Sequence, residues 1–150
     1  MKVFDAAATA RALGFAALIP ALERMFVAGC DVPARQAHAV GDALTALVMA
    51  AWQPGGFFGV KVVHVAPGNA ALGLPGLFAT YQLFDARTGV PLAAIDGGEL
   101  TARRTAAASA LAAGFLARDD ATSLLVVGNG RVGSLLPEAM RCMRPGERGA

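Results

Sequence analysis

Apolar positions recur at helical spacing early in the chain, break into short β-type runs through the middle, and return to a long helical stretch near residue 100. Residues 6–13 read as a short helix with Asp5 as its N-cap. Residues 15–28 read as a second helix, in which Leu18, Leu22, Met25 and Phe26 are spaced to form one apolar face. Pro20 falls early in it, where proline is tolerated, and Gly29 marks the stop. Strand-like segments follow at 35–40, 43–52, 57–65, 77–85 and 90–95, separated by Pro/Gly turns. The turn Ala86-Arg87-Thr88-Gly89 makes the last two a hairpin. Residues 99–117 predict a long, alanine-rich helix entered from Asp96-Gly97-Gly98, with Leu100, Ala107, Leu111 and Phe115 on one face. Residues 123–127 then predict a strand and 131–143 a helix.

The front of the chain is thus an α+β unit with a mostly antiparallel sheet. The end is the opening of a dinucleotide-binding α/β fold: one strand, a glycine-rich turn and one helix. The expected division is 1–117 and 118–150, with the long helix as the link. An acid at the end of a second strand normally completes such a fold. Glu147 lies at about the right distance but within Arg144-Pro145-Gly146-Glu147-Arg148-Gly149, which reads as a turn.

Composition refines this picture. Of the 150 residues, 55% are hydrophobic and 16% charged, enough apolar material for a core and too much for disorder. The excess points to a face meant for a partner or a further domain. The net charge of +2 comes without a basic stripe, which argues against nucleic acid. The uncharged stretches 43–60 and 62–84 are broken by Pro and Gly, so they read as strands and loops rather than membrane spans. Cys30 and Cys142 lack metal-ligand spacing and read as two buried thiols in a reducing cytoplasm.

Candidate chemistry centres on Gly128-Asn129-Gly130-Arg131-Val132-Gly133. The first glycine permits a tight turn, the second lets backbone approach a pyrophosphate, and the third permits close packing of strand and helix. The helix amino end favours the anion. Plain turn glycines are the alternative. Lys61 stands between Val60 and Val62: it either holds a ligand carboxylate or snorkels to water from an edge strand. Arg103-Arg104 begins the long helix, where the macrodipole disfavours cations. An anion grip and a solvated pair both account for it, and only one of two neighbours can face a site. Arg35 alone reads as a surface arginine, and His64 as a satisfied core histidine. No metal cluster, catalytic triad or carboxylate pair stands out.

Taken together, the motifs resemble the ornithine cyclodeaminase/mu-crystallin family. They are Pro33-Ala34-Arg35-Gln36, Gly59-Val60-Lys61-Val62-Val63 and Pro67-Gly68-Asn69-Ala70-Ala71-Leu72-Gly73-Leu74-Pro75. Leu83-Phe84-Asp85 through Thr88-Gly89, Leu100-Thr101-Ala102-Arg103-Arg104-Thr105-Ala106-Ala107-Ala108-Ser109, Leu116-Ala117-Arg118 and Val126-Val127-Gly128-Asn129-Gly130 complete the set. The resemblance implies a homodimer whose amino-terminal sheet domain binds substrate and pairs subunits, followed by a Rossmann domain holding NAD or NADP. It implies that Arg35, Lys61 and Arg104 grip the carboxylate of a small amino or imino acid. Arg104 and Thr105 would lie near the cofactor, and Gly128, Asn129, Gly130, Arg131, Val132 and Gly133 would cradle its phosphates. The family's catalytic Asp belongs to a later part of the Rossmann domain, so no catalytic residue is assigned in this chain.

Two departures stand out: Gly76 where many members have Thr, and Arg131-Val132 where many have Ala-Gln. The activity implied is reduction of a cyclic imine-2-carboxylate by NAD(P)H. Its rival is cyclodeamination, in which NAD takes hydride from the α-carbon of ornithine, ammonia leaves, and hydride returns to give proline. Strand 46–51 offers no acid for a distal amine, which leans toward the reductase. Other readings are a small-ligand-binding dimer without turnover and an inactive fragment. The 150-residue chain alone is expected to show no catalysis.

Overall fold

The computed structural model describes residues 1–143. The turn expected around Glu147 lies outside the described residues. Packing divides the chain into two units: 1–9 with 29–99, and 10–28 with 100 onward. This division does not coincide with the expected one after residue 117, because the helix 15–28 groups with the residues from 100 onward.

The first unit is built on a six-stranded sheet of β1 (Lys2–Phe4), β2 (Gln36–Val40), β3 (Leu44–Trp52), β4 (Phe57–Val65), β5 (Leu77–Asp85) and β6 (Pro91–Asp96). Their order across the sheet is β1-β6-β5-β4-β3-β2. All neighbours are antiparallel except β1, which lies parallel to β6. The five expected strands form within a residue or two of their expected ends. β1 was not expected: three residues carry too little pattern, and the strand exists through a partner some 90 positions away in sequence.

The β5–β6 turn is held by the Asp85 carboxylate. It accepts hydrogen bonds from the Arg87 and Thr88 backbone N–H groups, each at 2.9 Å, and from the Thr88 hydroxyl at 3.0 Å. Helix α1 (Ala6–Ala12) is capped as expected, the Asp5 carboxylate accepting from the Ala8 N–H at 2.7 Å.

The second unit is helical. Helix α2 (Phe15–Ala28) buries Phe15 and Ile19, with Leu18 and Leu22 partly covered, whereas Met25 and Phe26 stay exposed. Helix α3 (Gly97–Leu116) buries Ala106, Ala107, Ala110 and Leu111 in the same core. Its contact face is therefore mostly alanine at i, i+1 and i+4 spacing, and Phe115, expected on that face, is 71% exposed. Small side chains let helix axes approach closely. Helix α4 (Leu136–Met143) adds Ala139, and a 3-10 turn over Gly133–Leu135 precedes it. The expected helix from 131 thus begins as a tighter turn, and Pro137 falls in the first turn of α4, where its missing N–H costs nothing.

Three expectations are overturned. Residues 123–127 are not a strand; the backbone there is irregular, and Leu124, Leu125 and Val127 are 50%, 86% and 91% exposed. A strand is defined by its ladder, and among the described residues no neighbour pairs with this segment. Cys30 and Cys142 are exposed free thiols rather than buried ones. His64 also departs from its expected place in the core: it is exposed on β4.

Candidate functional site

Lys61 lies on β4, which is paired on both sides, with Met49 of β3 and Tyr81 of β5 as its direct neighbours. The edge-strand explanation for its burial therefore does not hold. Tyr81 in turn faces Ile95 of β6. Directly paired residues emerge on one sheet face, so Met49, Lys61, Tyr81 and Ile95 form a row across it. Arg35 precedes the first paired position of β2, Gln36 opposite Val48. Carried back one residue, the register sets Arg35 opposite Met49 in the same row. Arg35 is exposed and Lys61 half-buried. Continuing the β2 register by one residue would thus bring two of the three expected carboxylate-binding cations into one row, with one strand between them.

Tyr81 was not singled out from sequence, yet it shapes this row. A Cβ placed on Gly59 would fall on the Tyr81 hydroxyl and lie 2.5 Å from its Cζ, so the ring lies diagonally over the glycine. Burial holds the phenol pKa above its ordinary value, and the nearby Cys30, when charged, pushes the same way. Tyr81 is therefore a neutral hydroxyl across the physiological range, not a base. A glycine inside a strand signals close approach of another group. What approaches depends on the β4–β5 register, which the long connection from 66 to 76 leaves open to a reader of the sequence.

The remaining expected residues lie in the second unit. The Arg103 guanidinium carbon stands 5.3 Å from the Phe15 ring centroid, and its Nη1 donates to the Leu13 carbonyl at 3.4 Å. Arg103 is thus occupied by the helical core, while Arg104 faces outward. The Thr105 hydroxyl donates to the Thr101 carbonyl at 2.6 Å, leaving its oxygen only as an acceptor.

In the glycine-rich turn, Gly128 has φ 94°, which disfavours a side chain. A Cβ on Gly133 would meet the Gly128 carbonyl oxygen at 3.0 Å, whereas one on Gly130 would meet nothing within 4 Å. The turn closes through the Ser134 N–H to the Gly130 carbonyl at 3.0 Å. Asn129 and Arg131 are exposed, and Val132 packs against the helical core. A left-handed glycine, an open second glycine and a tight third one suit a pyrophosphate-cradling backbone. Val132 is the exception, since its side chain serves packing. A hollow of about 550 Å³ also lies in this unit, between the carboxy-terminal half of α3, residues 121–126 and α4. Ala110, Gly114, Leu124 and Met140 line it, and none of the expected site residues does.

An antiparallel sheet with a cationic row, followed by a helix and a glycine-rich turn, defines an α+β protein that opens into a dinucleotide-binding fold. The chain belongs to the ornithine cyclodeaminase/mu-crystallin family, whose model matches residues 14–147. An uncharacterized protein of Schizosaccharomyces pombe is 46% identical over 140 residues, covering 89% of this chain and 42% of that protein. The Delta(1)-pyrroline-2-carboxylate reductase of Colwellia psychrerythraea is 36% identical over 152 residues, covering 96% and 47%. The chain thus spans less than half the length of these relatives. Among solved structures, the Thermococcus litoralis Delta(1)-pyrroline-2-carboxylate reductase in complex with NADH and L-proline matches with a TM-score of 0.59 and 30% identity, covering 80% of this chain and 39% of that one.

Proposed function

We propose that this chain provides the substrate-binding and dimer-forming part, and the opening of the nucleotide site, of an NAD(P)-dependent reductase acting on a cyclic imine-2-carboxylate. The observation that carries the reading is Lys61, half-buried on an interior strand and in one row with Arg35. An ammonium on this row is a charged donor suited to a ligand carboxylate. Arg35 and Lys61 bind the carboxylate, and the match to the family's motif assigns Arg104 to the same role. Two or three cations on one carboxylate fix the position of the adjacent ring carbon, which is what hydride transfer demands. A nicotinamide bound there would supply a hydride to that carbon, and a proton from solvent would go to the imine nitrogen. Gly128, Asn129, Gly130, Arg131 and Gly133 hold the pyrophosphate, with Arg104 and Thr105 beside the cofactor. The reductase reading is supported by the names of the relatives and by the absence of any acid along β3.

The protein acts as a cytoplasmic homodimer in this reading. The sheet face bearing Trp52, Phe58 and Phe84, with an apolar hollow of about 500 Å³, supports a subunit contact. Two exposed free thiols suit a reducing compartment. No single helix among the described residues is long and apolar enough to cross a membrane. A bent pair, Ala6–Ala12 with Phe15–Ala28, passes by composition alone, and Phe15 and Ile19 of that pair belong to the helical core.

The test is NADH oxidation by the protein at its natural length with Delta(1)-pyrroline-2-carboxylate, set against NAD reduction with L-ornithine. Turnover of the imine is expected. Turnover of ornithine with none of the imine would replace this reading with cyclodeamination. Lys61→Met should lower kcat/KM for the imine about a hundredfold, the worth of one charged hydrogen bond.

A further inference from the structure

Next to the row that carries Lys61 runs a second row on the same sheet face: Ala51, Gly59, Leu83 and Ala93, each paired with the next. Three of its four side chains are small or absent, which leaves a hollow beside Lys61. The Tyr81 ring fills that hollow by lying over Gly59. Tyr81 is half-buried, and no buried side-chain polar atom among the described residues lacks a partner, so its hydroxyl is not an orphaned buried group. What is placed beside Lys61 is the bulk of the ring.

We propose that Tyr81 is the size-determining residue of the ligand site at Lys61, its ring over Gly59 limiting the bound imino acid to a five-membered ring. The inference rests on the carboxylate site proposed above. A larger ring, anchored by its carboxylate at Lys61, would have to enter the space the Tyr81 ring holds. Discrimination of one methylene by an apolar wall is worth about tenfold or more.

The experiment measures dissociation constants of L-proline and L-pipecolate, in the presence of NADH, for the protein at its natural length. Tyr81→Val removes the ring but keeps a good strand former, and should shift the ratio toward pipecolate about tenfold. Tyr81→Phe keeps the ring and should leave the ratio within about twofold. Gly59→Ala is the counter-variant. Its Cβ would push the ring outward, so pipecolate should lose more affinity than proline, and this arm stands even if Tyr81→Val does not fold. An unchanged ratio in both Tyr81→Val and Gly59→Ala overturns the proposal, as does an equal shift in Tyr81→Phe. If the unsubstituted protein binds neither imino acid, the carboxylate site itself fails, and the size limit falls with it.

Discussion

The sheet of the first unit and the segment 123–127 of the second carry the same kind of sequence, short apolar runs of strand-forming residues. Only one of them forms strands. β3, β4 and β5 each have a paired strand on both sides over at least part of their length. Leu124, Leu125 and Val127 have equal strand propensity but no ladder, and their side chains stand in solvent. Pattern alone nominates a strand; a partner at the right distance makes one. Helices differ, because their hydrogen bonds close within the segment. This is why α1, α2 and α3 formed close to their expected ends.

The sharpest way to break the sheet side of the comparison is Gly97→Ala. A Cβ there would lie 2.6 Å from the Ala79 carbonyl carbon and 2.7 Å from the Thr80 nitrogen, both backbone atoms of β5. Neither side can yield without moving the strand, so a loss of about 3 kcal/mol is expected on denaturant unfolding. A change below about 0.5 kcal/mol would mean that the start of α3 is not seated on the sheet.

Amide hydrogen exchange sharpens the same contrast. The amides of Val60, Val62 and Val63 should exchange at least about a hundredfold more slowly than those of Leu124, Leu125 and Val127, since only the former sit in a paired ladder. Equal protection would show that 123–127 finds a partner strand. In that case the opening strand of the nucleotide fold, as read from sequence, would exist in solution.

The helical core offers a smaller effect. Ala106→Leu inserts a bulky side chain where α3 has no exposed surface at all. Overpacking of this kind should cost about 2 kcal/mol, whereas the same change at the exposed Ala112 should be nearly neutral.

These contrasts also say what was legible. The hairpin at 85–91 could be read because a short turn sets register by counting, and Asp5 could be read as a cap from local chemistry. β1 could not, since its partner is β6. Nor could the neighbours of Lys61: the Gly59-Val60-Lys61 motif marked the strand, but Tyr81 comes beside it only through the register across a long connection. Local pattern did not separate Arg103 from Arg104; the family resemblance chose Arg104, and in the structure it is Arg103 that packs on Phe15. The exposed Cys30 and Cys142 misled because thiols are usually buried.

The smallest effect expected is electrostatic and tests the best-defined local structure of the sheet unit. Asp85 has its pKa held below the ordinary carboxylate value, first by the Thr88 backbone N–H, then by the Arg87 N–H and the Thr88 hydroxyl, with burial opposing. A depressed folded pKa means that the charged form is preferred by the folded state. That stabilisation is complete above the unfolded pKa of about 4 and fades as pH falls through the lower folded value. Asp85→Asn keeps one acceptor oxygen and removes the charge. Its melting temperature should therefore fall less than that of the unsubstituted protein between about pH 5 and pH 3. The difference should persist at high salt, because the hydrogen bonds within the turn, rather than the Arg87–Asp85 ion pair at 3.8 Å, hold the carboxylate. An acid limb that high salt abolishes would instead assign the turn's stability to that ion pair.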